Sequence, residues 1–169
     1  LVFDPSGDLY FFWLIVVVLG ILYNYWMIIF RVAFFVREQK FVIPFMAIDY
    51  SCDFVFLLDI IVQFRTGYFL DGKIVTDTKQ LAKRYMKSRG FFLDCVSILP
   101  VDLLFLVLGP RPALRFGRLL KAHRLFLFCD RVEIYSGRPK LFNLLKQIHY
   151  LFLIIHWVAC FYFLLSYME

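Results

Sequence analysis

The chain has 169 residues, of which 62% are hydrophobic and 21% aromatic, and its mean hydropathy is +0.75. This composition is too apolar for a soluble domain and places the chain in a lipid bilayer. The net charge is +6, but the basic residues lie between hydrophobic runs and in one spaced row, which excludes a nucleic-acid-binding patch and favours lipid headgroups as their partners.

Five apolar stretches approach the length of about 20 residues that a membrane-spanning helix needs. The first follows a turn and capping sequence, DPSGD, and the third is interrupted by Pro100, which predicts a kink. A Gly-Pro-Arg-Pro reversal over residues 109–112 leads into the fourth. The five predicted spans are residues 9–30, 42–64, 91–108, 113–128 and 141–168.

The polar intervals predict the orientation, because cytoplasmic loops collect Lys and Arg. Residues 65–90 hold seven basic side chains, whereas the short polar loop that begins at Arg31 and ends at Lys40 holds three. These two intervals lie on opposite membrane faces, so the amino-terminal end is expected to be cytoplasmic. No basic segment precedes the first span, which argues against a cleaved signal peptide, and the odd number of spans predicts an excerpt from a longer chain.

The fourth span carries a row of basic residues at every third position: Arg115, Arg118, Lys121 and Arg124. On an α-helix such a row spirals slowly along one side, whereas a 3₁₀ stretch would align it. Each charge at the centre of the membrane costs roughly 2.5 to 3.5 kcal/mol, so the row requires partners. The pattern predicts a voltage-sensor-like row, and the alternative is an amphipathic helix on the membrane surface.

Acidic residues inside neighbouring spans are the expected partners of this row. Asp49 and Asp53 are four residues apart and share a helix face, while Asp59 lies on another face. Asp59 and Asp94 are expected to meet at similar depth beneath Phe56, an aromatic ring one turn before Asp59. These four carboxylates are predicted counter-charges and Phe56 a charge-transfer aromatic, although the same pairs could serve only to let the helices insert.

The remaining polar side chains give weaker indications. Asp102 is expected to contact only Arg111 or solvent. His156 and Trp157 are expected to pack the fifth span against its neighbours. No metal ligand cluster, catalytic triad or phosphate loop is present in the sequence, so neither a metal site nor an enzyme is expected. The histidines expected to pack and the cysteines expected to be free are His123, His149, His156, Cys52, Cys95, Cys129 and Cys160.

Several segments resemble channels that carry a cyclic-nucleotide-binding domain, a group that includes cyclic nucleotide-gated, hyperpolarisation-activated and ether-a-go-go channels. The resemblance covers essentially the whole chain and points to the cyclic nucleotide-gated group through FDPSGDLYFFW and HWVACFYF. The segments that carry it are FDPSGDLYFFW at 3–13, FRTGY at 64–68, FFLDCVSILPVDLL at 91–104, RFGRLLKAHR at 115–124 and HWVACFYF at 156–163.

This resemblance implies an all-α membrane protein with a four-helix voltage-sensor-like bundle over residues 1–128, a linker over 129–140 and the first pore-domain helix over 141–169. It also implies a homo- or hetero-tetramer in the plasma membrane, in contact with lipids and passing cations, with weak voltage dependence. No cofactor is expected in this chain, because cGMP or cAMP would bind a C-terminal domain beyond it. The short elbow after the fourth span implies that each sensor packs on the pore of its own subunit.

Two other functions remain open at this stage. One is a voltage-gated potassium or hyperpolarisation-activated channel of the same superfamily, which the selectivity filter beyond residue 169 would distinguish. The other is a stand-alone voltage-sensor protein, such as a proton channel or a sensor-controlled enzyme, which would need only four spans. A multi-span transporter or receptor has no need for the spaced basic row and the internal acids together.

Overall fold

The structure is a computed structural model that describes residues 2–34, 42–70, 73–98, 112–135 and 137–168. These residues form helices almost throughout, together with one short hairpin. The elements are α1 (Asp8–Phe34), α2 (Val42–Phe64), β1 (Tyr68–Leu70), β2 (Lys73–Val75), α3 (Thr78–Met86), α4 (Arg89–Ile98), a 3₁₀ helix (Pro112–Lys121), α5 (Ala122–Tyr135) and α6 (Pro139–Met168).

Two of the described helices, Asp8–Phe34 and Pro139–Tyr167, are long and apolar enough to cross a membrane. Helix α2 has a comparable length of 23 residues but carries three aspartates. The third predicted span is described only as far as Ile98. The predicted kink at Pro100, residues 109–111 of the predicted reversal and Asp102 lie outside the described residues.

Helix α1 lies at the centre of the bundle and packs against α2, the 3₁₀ helix, α5 and α6. Its apolar side meets α2 in a small core in which Val17, Ile21 and Phe56 are fully buried. Helix α4 packs against both α2 and the 3₁₀ helix. The basic row therefore lies in a groove between α1, α2 and α4.

The helix boundaries depart from the predicted spans at two places. Helix α1 continues to Phe34, so Arg31 lies within a helix instead of marking a loop. Helix α5 continues to Tyr135, so the first half of the predicted linker at 129–140 is helical. The polar residues that suggested a linker are tolerated because they find partners at the helix surface, as with Glu133, which accepts a hydrogen bond from Asn143 at 2.9 Å.

The predicted linker at 65–90 is also more ordered than its composition suggested. Strands β1 and β2 form an antiparallel hairpin in which Phe69 lies opposite Ile74. Helix α3 follows, and Asp77 caps its amino terminus by accepting a hydrogen bond from the backbone N–H of Lys79 at 3.1 Å. The hairpin and α3 bring the chain from the end of α2 to the start of α4.

Helix α6 packs against α1 of the same chain, as the sequence predicted for His156 and Trp157. The indole N–H of Trp157 donates to the backbone carbonyl of Tyr25 at 3.0 Å. The Nε2 atom of His156 lies 3.0 Å from the carbonyl oxygen of Trp26, and the two rings are 4.8 Å apart. These contacts fix α6 to α1 without passing through α5.

Candidate functional site: buried cations and their carboxylates

The 3₁₀ helix aligns the basic row. In this helix side chains three residues apart lie directly above one another, so Arg115, Arg118 and Lys121 form a straight line. Arg124 follows in the first turn of α5. All four residues are at most 4% exposed. Because buried charges are costly without partners, the surroundings of each side chain decide what the row can do.

The first carboxylate site consists of Asp49 and Asp53 on α2. Arg115 lies 3.3 Å from Asp49 and 3.5 Å from Asp53. Arg118 donates twice to Asp53, at 3.1 Å in each case. The predicted shared face of these two aspartates therefore meets the first two cations of the row.

Arg31 on α1 is a third cation at the first site, which sequence reasoning missed. It binds Asp49 through two hydrogen bonds of 2.7 and 2.8 Å, the paired geometry that makes arginine–carboxylate contacts strong. Arg31 was expected in a loop because it follows a long apolar run. Its spacing from the next basic residue, Arg37, gave no sign that it continues the helix.

The second carboxylate site consists of Asp59 on α2 and Asp94 on α4, both fully buried. The Nζ atom of Lys121 lies 3.0 Å from Asp59 and 3.1 Å from Asp94. Arg124 also contacts both, at 3.2 Å and 2.6 Å respectively. Two cations and two carboxylates therefore compensate one another in a volume closed to solvent, and the expected meeting of Asp59 with Asp94 occurs.

Phe56 lies between the two sites and is fully buried. The Nζ atom of Lys121 lies 5.1 Å from the centre of its ring and donates to its backbone carbonyl at 3.3 Å. Asp53 precedes this ring by three residues in α2 and Asp59 follows it by three. The ring therefore separates the cations of the first site from those of the second.

Neutral donors surround the second site, and no pattern in the sequence indicates them. Trp13 donates to Asp59 at 3.2 Å, and Gln63 lies 3.4 Å from the same carboxylate oxygen. Tyr85 on α3 donates to Asp94 at 2.6 Å. Burial and this contact raise the pKa of Tyr85 well above its ordinary value, so the hydroxyl keeps its proton and remains a donor.

His123 was expected to be a hydrogen-bonded packing residue, and it lies beside the basic row. Its Nε2 atom is 3.4 Å from Asp94, and its side chain is 20% exposed. No pattern in the sequence indicates this contact, because Asp94 belongs to a different helix.

Replacing Gly20 by Val is expected to destabilise the protein, because a Cβ atom at this position would lie 3.2 Å from the Phe56 ring. Overpacking of this kind costs about 1 to 3 kcal/mol, which a thermal unfolding midpoint in detergent would detect. Gly137→Val is the matched control, since a Cβ atom there meets nothing within 4 Å. Equal midpoints for the two variants would contradict the close packing of α1 against the ring.

The model of the ion transport protein family matches residues 10–169. Human cyclic nucleotide-gated channel alpha-3 is 39% identical over 167 residues, which cover 98% of this chain and 24% of that protein. Mouse cyclic nucleotide-gated channel alpha-4 is 39% identical over 166 residues, and bovine alpha-2 is 38% identical over 166 residues, with 29% and 25% of those proteins covered. The chain thus spans about a quarter of the length of these relatives.

Proposed function

Because the chain belongs to the ion transport protein family, we propose that it is the transmembrane part of a tetrameric cyclic nucleotide-gated, non-selective cation channel. In this proposal Na⁺, K⁺ and Ca²⁺ pass when cGMP or cAMP binds a cytoplasmic domain beyond residue 169. The observation that carries it is the similarity to cyclic nucleotide-gated channels over 98% of the chain. The tetramer forms the pore in the plasma membrane.

Residues 1–128 act in this proposal as a voltage-sensor-like bundle, and α6 is the first helix of the pore domain. Four cations at a spacing of three, all buried and all facing carboxylates of other helices, support a sensor more strongly than a surface helix. A surface helix would present the row to headgroups. Asp49, Asp53, Asp59 and Asp94 are the counter-charges, and Phe56 is the ring that a moving cation passes.

Packing of α6 on α1 of the same chain supports a sensor that lies against its own subunit's pore. The contacts of Trp157 and His156 with α1 form within one chain. They also favour a channel over a stand-alone sensor protein, which has no use for a fifth span. In the proposed channel the apolar face of α6 that remains exposed here packs against the rest of the pore domain.

The proposed orientation has the amino-terminal end, the 65–90 linker and Gly137 on the cytoplasmic side. An epitope inserted at Gly137 tests this, because Gly137 is exposed and a Cβ atom there meets nothing within 4 Å. Antibody staining should require permeabilised cells. Staining of intact cells would contradict the orientation without affecting the channel assignment.

Recording from excised patches tests the channel function directly. The full-length protein is stepped through a range of voltages while cGMP or cAMP is applied to the inner face. We expect current that depends on nucleotide at every voltage and carries both Na⁺ and K⁺. Currents that follow voltage and ignore nucleotide would instead favour the voltage-gated potassium or hyperpolarisation-activated alternative.

A further inference from the structure

Arg131 lies on the same side of α5 as the last cation of the row. It follows Arg124 by seven residues, and seven residues make about two turns of α-helix, or roughly 10 Å along the axis. Arg131 is therefore placed beyond the second carboxylate site, near the end of the helix. In the sequence Arg131 belongs only to the predicted linker at 129–140.

Arg131 binds the turn that precedes α1. Its guanidinium donates to the backbone carbonyl of Pro5 at 2.6 Å and to that of Gly7 at 3.1 Å. Hydrogen bonds from a charged donor are about twice as strong as neutral ones. Three aromatic rings lie within 6 Å of the guanidinium carbon, at 5.5, 5.3 and 5.8 Å: Tyr10, Phe11 and Tyr135.

The turn that Arg131 binds is itself held in place. Asp4 accepts hydrogen bonds from the backbone and hydroxyl of Ser6, at 2.8 and 2.6 Å. Phe3 donates from its backbone to Arg65 at 2.8 Å and accepts from Gly67 at 2.9 Å. The turn is thereby fixed to the end of α2. Arg131 consequently connects α5 to the turn that precedes α1 and, through this turn, to the end of α2.

We propose that Arg131 is a positioning residue that holds α5 at one height on α1 and so limits how far the basic row travels when the voltage changes. This inference rests on the proposed function, since it concerns a sensor that responds weakly to voltage. The restraining contact is the pair of hydrogen bonds that Arg131 donates to Pro5 and Gly7.

The restraint follows from a difference between Arg131 and the row. One step of the row is three residues, or about 6 Å in the 3₁₀ helix, and each cation that leaves a carboxylate is replaced by the next. Hydrogen bonds with nitrogen donors extend only over about 2.7 to 3.2 Å. A step of α5 along α1 therefore breaks both contacts of Arg131 with Pro5 and Gly7. The ion pairs of the row exchange during a step, whereas the contacts of Arg131 are lost.

The test uses the full-length channel with a fluorescent amino acid at Phe116, which is 37% exposed and lies in the 3₁₀ helix. Voltage steps are applied to the parent protein and to Arg131→Gln. Losing one charge-assisted hydrogen bond should raise the population of the displaced conformation roughly tenfold at a given voltage. The fluorescence change in Arg131→Gln should therefore be larger than in the parent protein. The nucleotide-activated current should also become more voltage-dependent. Arg131→Lys should restore part of the restraint. Lys140→Gln, an equal change of charge at an exposed residue of α6, should have no effect.

Unchanged fluorescence and current in Arg131→Gln, at normal surface expression, would overturn the inference. Should that variant fail to reach the surface, Phe11→Leu removes one ring beside the guanidinium and leaves the hydrogen bonds. It should give a smaller increase of the same sign, and no increase would also overturn the inference. A current that does not depend on nucleotide would contradict the proposed function. The fluorescence would still report whether Arg131 restrains the row.

Discussion

Replacing Asp94 by Asn is expected to prevent most of the protein from reaching the cell surface. Lys121 and Arg124 would then share the single carboxylate of Asp59, and one buried cation would lose its compensation. An uncompensated charge at this depth costs on the order of 3 kcal/mol or more, a large part of the stability of a domain. Surface labelling of the full-length channel and its unfolding midpoint in detergent measure the effect.

Two further variants separate charge compensation from a general loss of folding. Asp130→Asn makes the same chemical change at an exposed residue of α5 and should leave the midpoint unchanged. Adding Lys121→Met to Asp94→Asn leaves one cation with one carboxylate, and should recover much of the lost surface protein. If Asp94→Asn has the same unfolding midpoint as Asp130→Asn, the second carboxylate site does not hold the bundle together.

Replacing Trp157 by Ala is expected to separate α6 from α1. The change removes the hydrogen bond to the Tyr25 carbonyl at 3.0 Å and the ring that lies 6.3 Å from the Tyr25 ring. Large-to-small changes of aromatic residues cost about 3 kcal/mol or more, of which the hydrogen bond accounts for about 1 kcal/mol in a membrane. The unfolding midpoint of the full-length channel should fall, and nucleotide should open fewer channels.

Trp157→Phe serves as the graded control, because it keeps a ring and removes only the N–H donor. Its effect should be about a third of that of Trp157→Ala, in proportion to the hydrogen bond. An alanine variant with the midpoint of the parent protein would mean that α6 is held on the bundle by other contacts, and the proposed packing of the sensor on its own subunit's pore would lose its support.

The basic row and its acidic partners could be predicted because each rests on a short-range pattern. A spacing of three along one helix and an interval of four between Asp49 and Asp53 are visible in the sequence. The cost of burying charge then requires that the two sets meet. The resemblance to cyclic nucleotide-gated channels is confirmed by the comparisons, since the chain belongs to the ion transport protein family and is 39% identical to two such channels. The all-α membrane character is confirmed as well, with the β1–β2 hairpin as a small exception.

The partners of the carboxylates that lie outside the basic row could not be predicted, because they depend on which helices become neighbours. Trp13 and Arg31 reach the carboxylates from α1, and Tyr85 reaches them from α3. In the sequence Arg31 reads as a loop cation, and nothing there links Trp13 to Asp59 or Tyr85 to Asp94. Sequence periodicity records the side of a helix that is buried, but not the polar group that it will face.

The hairpin and the extension of α5 were missed for different reasons. The hairpin had a local signal, since an Asp-Gly dipeptide at residues 71–72 follows an apolar run, a pattern typical of tight hairpin turns. The local sequence signal at the extension of α5 was misleading, because the polar residues after Cys129 are typical of a loop. Arg131 instead binds the turn that precedes α1, and Glu133 binds Asn143 on α6, which permits the helix to continue to Tyr135.

The change from 3₁₀ to α geometry at Lys121 gives the proposed sensor a way to adjust its length. A 3₁₀ helix rises about 2.0 Å per residue and an α-helix about 1.5 Å, so rewinding all ten residues of Pro112–Lys121 shortens the segment by roughly 5 Å. Such rewinding shifts Arg115 and Arg118 along the membrane normal while α5 stays where Arg131 holds it. A small electrical response can thus originate in helical pitch alone, without any displacement reaching the elbow that joins the sensor to the pore.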